Sequence, residues 1–155
     1  MKGQLFISTF SGTLDGKGRV CIPASFREIL SAQETQGVYL RPVIGEAMLE
    51  GFGEQLMAEY HAKLLTLDPF DAADLDDNEH FALSLTQLLP RDENGRVRLP
   101  DEFIAHAGLN DRVVFVGQGA RFQIWEPYAH TAMLAERKGR YEAKRAAAKA
   151  ARSAP

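Results

Sequence analysis

Near the start of the chain lie two short β-type runs, which a glycine-containing turn separates. Thr13-Leu14 and residues 19–22 bracket Asp15-Gly16-Lys17-Gly18, a composition typical of a hairpin loop. Pro23 follows where a strand must stop and a helix can start, because proline lacks an N–H but fits the first helical turn. Apolar residues at i, i+3 and i+4 within 26–30 then predict one buried helix face. The pattern therefore predicts strand, turn, strand and short helix.

The same series of positions returns in the second half of the chain. Residues 92–103 align without a gap with residues 15–26, and Asp, Gly, Arg, Val, Pro and Phe recur. The second loop is Asp92-Glu93-Asn94-Gly95, Pro100 precedes the second short helix, and Gly108 is its predicted C-cap. After a two-residue indel the likeness continues into two strand-like runs in each copy. The recurrence indicates tandem duplication of one small β-rich unit.

Helical patterns occupy the segments outside the two copies. Residues 54–67 predict an amphipathic helix that Asp68-Pro69 breaks, and residues 72–85 predict a second helix with an acid-rich start. Pro127 opens another helix that runs to Tyr141. Beyond it, alanine alternates with lysine and arginine without an apolar face, so we expect a frayed or disordered tail.

These patterns divide the chain into four parts. They are a first repeat at 6–53, a helical connector at 54–82, a second repeat at 83–128, and a C-terminal helix with a basic tail at 129–155.

Composition narrows the class of protein. The 155 residues are 45% hydrophobic and 25% charged, and no apolar stretch approaches the roughly 20 residues that span a bilayer. The first residues resemble no secretory signal, so we expect a cytoplasmic protein without a membrane partner. Cys21 is the only cysteine and is expected to be a buried small hydrophobe. The net charge of -3 argues against a uniformly basic nucleic-acid binder, although the C-terminus is basic.

The paired motifs resemble those of a known family. Each copy carries Asp-x-x-x-Arg, as Asp15 to Arg19 and Asp92 to Arg96, followed by Val-x-Ile/Leu-Pro. From Phe6 to about Tyr141 the chain resembles the MraZ family of transcriptional regulators, which have two SpoVT/AbrB-type repeats. The resemblance implies a double swapped-hairpin β-barrel built as a pseudo-dimer, and assembly into homo-oligomeric rings. It also implies binding to direct repeats in double-stranded DNA near a cell-division and cell-wall gene cluster, with localisation at the nucleoid.

The first loop is the predicted DNA-binding element. Arg19 follows a tight turn, so its planar donor fork is held on a rigid element and can bridge phosphates or read guanine. Lys17 lies beside it, and Gly16 and Gly18 would let the backbone approach a phosphate. Asp15 either joins this site or holds its own loop by pairing with Arg19.

Other positions complete the predicted site less directly. Arg96 and Asp92 repeat the motif with acidic neighbours, so a structural role competes with DNA contact. Lys2 and Arg41 are candidates for the same face. Glu93 and Asn94 replace Gly16 and Lys17, which makes the halves unequal. Charges within residues 1–53 balance, so one subunit should bind weakly and an oligomer is expected.

Two other classes of function compete with this prediction. For an enzyme or metalloprotein, the four histidines lack ligand spacing, and no phosphate loop, dinucleotide fingerprint or nucleophile turn occurs. We therefore expect no catalysis, cofactor, metal or small-molecule substrate. The other class is a ring-forming protein-interaction module with weak or lost DNA binding, which the net acidity favours.

Overall fold

The computed structural model describes residues 5–68, 70 and 82–154. Its strands are β1 (Thr9–Thr13), β2 (Arg19–Cys21), β3 (Gly37–Pro42), β4 (Leu49–Phe52), β5 (Gln87–Pro90), β6 (Arg96–Arg98), β7 (Arg112–Gly117) and β8 (Phe122–Trp125). Its helices are α1 (Ala24–Ala32), α2 (Glu54–Leu64), α3 (Asp101–Ala107) and α4 (Pro127–Ser153). The prediction of a β-rich α+β fold with flanking helices is confirmed.

Strands from the first half of the chain pair mainly with strands from the second half. β1 pairs with β7, β3 with β5, β4 with β8, and β2 with β6, all antiparallel. The loop predicted before β2 is present, but β1 meets β2 only near the isolated bridge of Leu14 with Val20. Within each half, β3 also pairs with β4 and β7 with β8. In the described residues, all these pairings together give an open six-stranded order β1-β7-β8-β4-β3-β5 and a separate two-stranded ribbon.

The main core lies between the ribbon, the sheet and the two short helices. Its centre is aromatic, with the rings of Phe6, Phe26 and Phe122 packed at centroid distances of 5.0 to 5.2 Å. Val20 of β2 and Val97 of β6 are fully buried in the same cluster. These two valines anchor the ribbon, which leaves its other face to solvent.

Alternate residues of β7 point to opposite sides of the sheet. Phe115 belongs to the main core, whereas Val114 and Val116 join a second cluster with Trp125. Met133 of α4 packs against this second cluster. The start of α4 therefore covers the sheet face opposite the main core.

Local signals placed the short helices correctly. Pro23 and Pro100 occupy the N-cap positions of α1 and α3, and Gly108 ends α3 with a φ of 63°, a left-handed conformation that glycine adopts readily. The helix predicted over 54–67 is present but ends at Leu64. Most of the helix predicted over 72–85 lies outside the described residues.

The expectation of a frayed tail after Tyr141 is wrong. α4 continues to Ser153, and every residue from 134 to 154 is exposed. Alanine, lysine and arginine have high intrinsic helix propensity, so a helix can extend here without an apolar face. Its start is well capped, because the Glu126 carboxylate accepts the N–H groups of Tyr128 and Ala129 at 3.0 and 2.8 Å. None of the helices in the described ranges is long and apolar enough to cross a membrane.

Candidate nucleic-acid interface

Loop 1, residues 15–18, is held by the carboxylate of Asp15. Its Oδ1 accepts the backbone N–H groups of Lys17 and Arg19, both at 2.9 Å. The N–H of Gly18 donates to the Asp15 carbonyl at 3.0 Å, and Gly18 has a φ of 77°. This is a tight turn closed by a left-handed residue, a conformation in which glycine avoids the clash of a Cβ atom.

Loop 2, residues 92–95, repeats this geometry. Asp92 Oδ1 accepts the N–H groups of Asn94 and Arg96 at 2.9 Å. The N–H of Gly95 donates to the Asp92 carbonyl at 2.9 Å, and Gly95 also has a φ of 77°. The two loops therefore share one backbone conformation although their central residues differ.

Each aspartate also pairs with the arginine that ends its loop. Asp15 Oδ2 accepts Arg19 Nε at 2.8 Å, and Asp92 Oδ2 accepts Arg96 Nε at 2.9 Å. Hydrogen bonds from the Arg19 backbone N–H and side chain lower the pKa of Asp15, and those of Arg96 and Asn94 lower that of Asp92. The interpretation that Asp15 holds its own loop is confirmed. Within the described residues, the terminal nitrogens of both arginines make no hydrogen bond.

The ribbon of β2 and β6 brings side chains from both loops onto one face. Arg19 is directly opposite Arg98, and Cys21 is directly opposite Arg96. Because Val20 and Val97 point into the core, these four side chains share the outer face. We call this surface, formed by Arg19, Cys21, Arg96 and Arg98, the ribbon face.

Two arginines of this region were missed from the sequence. Arg98 alternates with buried Val97, a period-two signal that was available in Arg96-Val97-Arg98. Arg27 projects from α1 to loop 2 and donates to the Asn94 carbonyl at 3.0 Å. Nothing local in the sequence indicates that long-range contact.

The charges of the ribbon face are only partly compensated. Like charges directly opposite each other on two strands are destabilising, as for Arg19 and Arg98. Asp15 partly offsets Arg19, but among the described residues Arg98 has no acidic partner. An anion lying across the ribbon face would remove this repulsion.

Arg27 and Arg91 flank a cleft beside loop 2. The cleft has a volume of about 370 Å³ and is also lined by Ser31 and by loop 2 itself. Arg91 donates to the carbonyls of Thr35 and Gly37, and burial together with the Arg27 charge lowers its pKa. Arg91 therefore supports the local fold, while Arg27 borders the ribbon face.

Comparison with known proteins identifies the family. Residues 83–152 match the family model described as "MraZ protein, putative antitoxin-like". The "Transcriptional regulator MraZ" of Xanthobacter autotrophicus is 40% identical over 84% of this chain and 83% of its own length. That of Parvibaculum lavamentivorans is 41% identical over 84% and 81%. That of Methylocella silvestris is 34% identical over 97% and 91%.

The chain belongs to the MraZ family.

Three predicted features of this MraZ-family chain need separate comment. Arg41 does not join the ribbon face, so that expectation is wrong. Its side chain is 8% exposed, its Nη2 donates to Glu50 Oε1 at 2.9 Å, and it lies over the rings of Phe52 and Tyr60. Lys2 lies outside the described residues. Gly16 is exposed, with open space where a Cβ would stand.

The expectation that Cys21 is a buried small hydrophobe is also wrong. Cys21 is exposed rather than buried, because it falls on the outward side of β2, between the inward-facing Val20 and Ile22. In the part of the chain that the structure describes, no group of three or more His, Cys, Asp or Glu side chains is placed to hold a metal ion.

Proposed function

We propose that this chain is a sequence-specific, DNA-binding transcriptional regulator that contacts double-stranded DNA through the ribbon face. The observation that carries the proposal is the placement of Arg19, Arg96 and Arg98 on the outer face of a short ribbon anchored by two buried valines. The names of its relatives as transcriptional regulators support the same conclusion.

The ribbon suits the geometry of DNA. A two-stranded β-ribbon fits the major groove of B-form DNA, where an arginine can donate two hydrogen bonds to guanine. In Arg19 the Nε is held by Asp15, so the remaining nitrogens project from a fixed base. We assign base reading to Arg19 with Arg98, and phosphate contact to Lys17 and the Gly16 backbone.

Arg96, Asp92 and Gly18 have mixed roles in this proposal. Asp92 and Asp15 position their arginines rather than contact DNA. Gly18 supplies the left-handed residue that turns Arg19 outward. Arg96 would contact phosphate beside Cys21, with Glu93 nearby reducing its contribution.

The wider assembly is part of the proposal. Residues 6–53 and 83–128 would act as two repeats that enclose one swapped-hairpin barrel, joined by the connector at 54–82. Because one chain offers few phosphate contacts and has a net charge of -3, several copies in a homo-oligomeric ring would bind direct repeats together. The target would be repeated DNA upstream of a cell-division and cell-wall gene cluster, at the nucleoid in the cytoplasm.

Gel shifts with two duplexes test the proposal. One duplex comes from the region upstream of the source organism's cell-division gene cluster, and the other has random sequence. We expect preferential binding of the first, with affinity that falls steeply as salt rises. Arg98→Ala should reduce the preference, whereas Lys63→Ala, which removes an exposed cation from α2, should leave it unchanged. No preference in the native protein, or an unaffected Arg98→Ala variant, would overturn the assignment.

A second candidate function is a ring-forming protein-interaction module with weak or lost DNA binding. Exposed Glu93 in loop 2 and the net acidity favour it. Light scattering that shows a stable oligomer, together with no shift of either duplex, would select this alternative.

A further inference from the structure

The exposed part of α4 carries more lysines and arginines than any other helix or strand of the described chain. Residues 134–153 extend over about 30 Å at the rise of an α-helix. This segment contains two glutamates and a longer series of cations: Arg137, Lys138, Arg140, Lys144, Arg145, Lys149 and Arg152. The rest of the chain is therefore considerably more acidic than the net charge of -3 suggests.

The cations of this segment share one side of the helix. At 3.6 residues per turn, every lysine and arginine of 134–153 falls within one half of the circumference. Glu136 and Glu142 fall on the other half, together with Ala135, Gly139 and Ala146. A helix that only needed solubility would not require this separation. We call the cationic half the basic face of α4.

The basic face is poorly neutralised by its own protein. Arg137 pairs with Glu46 at 3.6 Å, and Arg145 donates to the Tyr141 hydroxyl at 3.3 Å. Within the described residues, the other cations of the face make no ion pair. Arg140 and Lys144, and likewise Arg145 and Lys149, stand four residues apart, a spacing at which like charges destabilise a helix. A polyanion along the face would reverse this repulsion.

Resting on the function proposed above, we propose that the basic face of α4 is a second DNA-binding surface, which contacts phosphates of duplex DNA without reading sequence. Its side chains are lysine and arginine along one side of a single continuous helix, so they suit a row of phosphates. The base of α4 packs on the sheet face opposite the main core and the ribbon. The base of α4 is therefore anchored on a different side of the sheet from the ribbon face.

Charge removal in the intact chain tests this surface. The variant carries Lys144→Gln, Arg145→Gln, Lys149→Gln and Arg152→Gln, which keep good helix formers. The matched control carries Ala143→Gln, Ala146→Gln, Ala147→Gln and Ala150→Gln on the opposite half of α4. Circular dichroism should show the same helix content in both. The probe is a random-sequence duplex, titrated with protein at several salt concentrations.

We expect the charge-removal variant to lose affinity for the random duplex and the control to keep it. If each removed cation neutralises one phosphate, the slope of log affinity against log salt becomes shallower by about 3 to 4. An unchanged slope overturns the inference. So does a loss of binding to single-stranded RNA or to anionic vesicles with duplex binding retained, because the occupant is then not duplex DNA.

The two proposals fail separately. The ribbon face is tested by preference between the upstream and random duplexes, which Arg98→Ala reduces. The basic face is tested by the salt slope on the random duplex, which the α4 variant changes while preference remains.

Discussion

Loop 1 and loop 2 stand at opposite ends of the ribbon with the same backbone conformation and different surface charge. At the loop 1 end, Arg19 and Arg98 lie opposite each other with Lys17 beside them. At the loop 2 end, Arg96 lies opposite Cys21, and exposed Glu93 and Asn94 replace the glycine and lysine of loop 1. Local positive charge is therefore concentrated at the loop 1 end.

The comparison separates residues that form the loop from residues that present a surface. Aspartate at the first position and glycine at the fourth make the same hydrogen bonds and the same φ of 77° in both loops. The two positions between them contribute only backbone groups to the turn. Surface charge at those positions can therefore change without altering the fold.

The neighbours of the loops differ as well. An ideal Cβ on Gly95 would stand 2.0 Å from Arg27 Nη1, whereas on Gly18 the nearest atom is Ile104 Cδ1 at 3.5 Å. Arg27 thus gives loop 2 a cation that its own sequence lacks. Conversely, Arg98 from the second half supplies a cation to the loop 1 end. The proposed interface draws on both halves, whereas the sequence singled out the first loop and left a structural role for Arg96 open.

The largest expected difference between the two ends is in DNA affinity. Arg19→Ala should weaken binding to the upstream duplex by roughly 5- to 150-fold, because one good arginine to guanine contact contributes about 1 to 3 kcal/mol. Arg96→Ala should weaken it less. Gel shifts measure both. Each substitution breaks an equivalent Asp–Arg pair, so urea unfolding should show similar stability losses and serves as the internal control. Equal losses of affinity would contradict the asymmetry.

The next effect concerns the glycines at the fourth loop position. Gly18→Ala and Gly95→Ala should each destabilise the protein by about 1 to 2 kcal/mol, because a left-handed backbone crowds a Cβ atom. Gly95→Ala should cost more, since the new methyl group displaces Arg27 from the Asn94 carbonyl. Urea unfolding measures both. Gly16→Ala, in open space, should stay within about 0.5 kcal/mol of the native protein. A Gly16→Ala loss as large as the others would refute the argument.

The sequence correctly predicted those structural features that depend on neighbouring residues. The turn chemistry of Asp15 and Gly18, the helix start after Pro23 and the C-cap at Gly108 each depend on residues within a few positions. The sequence did not predict contacts between residues that are far apart along the chain. The register that places Arg98 against Arg19, and the burial of Arg41 against Glu50, are long-range results of strand pairing.

Exchanging the loop surfaces sharpens the comparison further. Glu93→Gly with Asn94→Lys gives loop 2 the composition of loop 1, and the backbone bonds to Asp92 are retained. We expect severalfold tighter DNA binding and a salt slope steeper by about 1, as for one added phosphate contact. The control is Glu93→Gly with Asn94→Gln, which lacks the added cation. If both variants bind alike, the lysine added at the loop 2 end does not contact DNA.

The smallest expected effect is the pH dependence of the two loop aspartates. In the folded protein both have a lowered pKa, because backbone and side-chain hydrogen bonds favour the carboxylate. The stability that the two charged carboxylates give the folded protein is therefore fully present above their pKa in the unfolded chain, about 3.9. It is lost as pH falls through their lower pKa in the folded protein. Asp15→Asn and Asp92→Asn should each reduce stability modestly at neutral pH, and the gap to the native protein should close in acid. Urea unfolding at a series of pH values measures the gap, with Glu59→Gln on α2 as the control. A gap that persists unchanged in acid would show that the aspartates stabilise their loops by shape alone, without their charge.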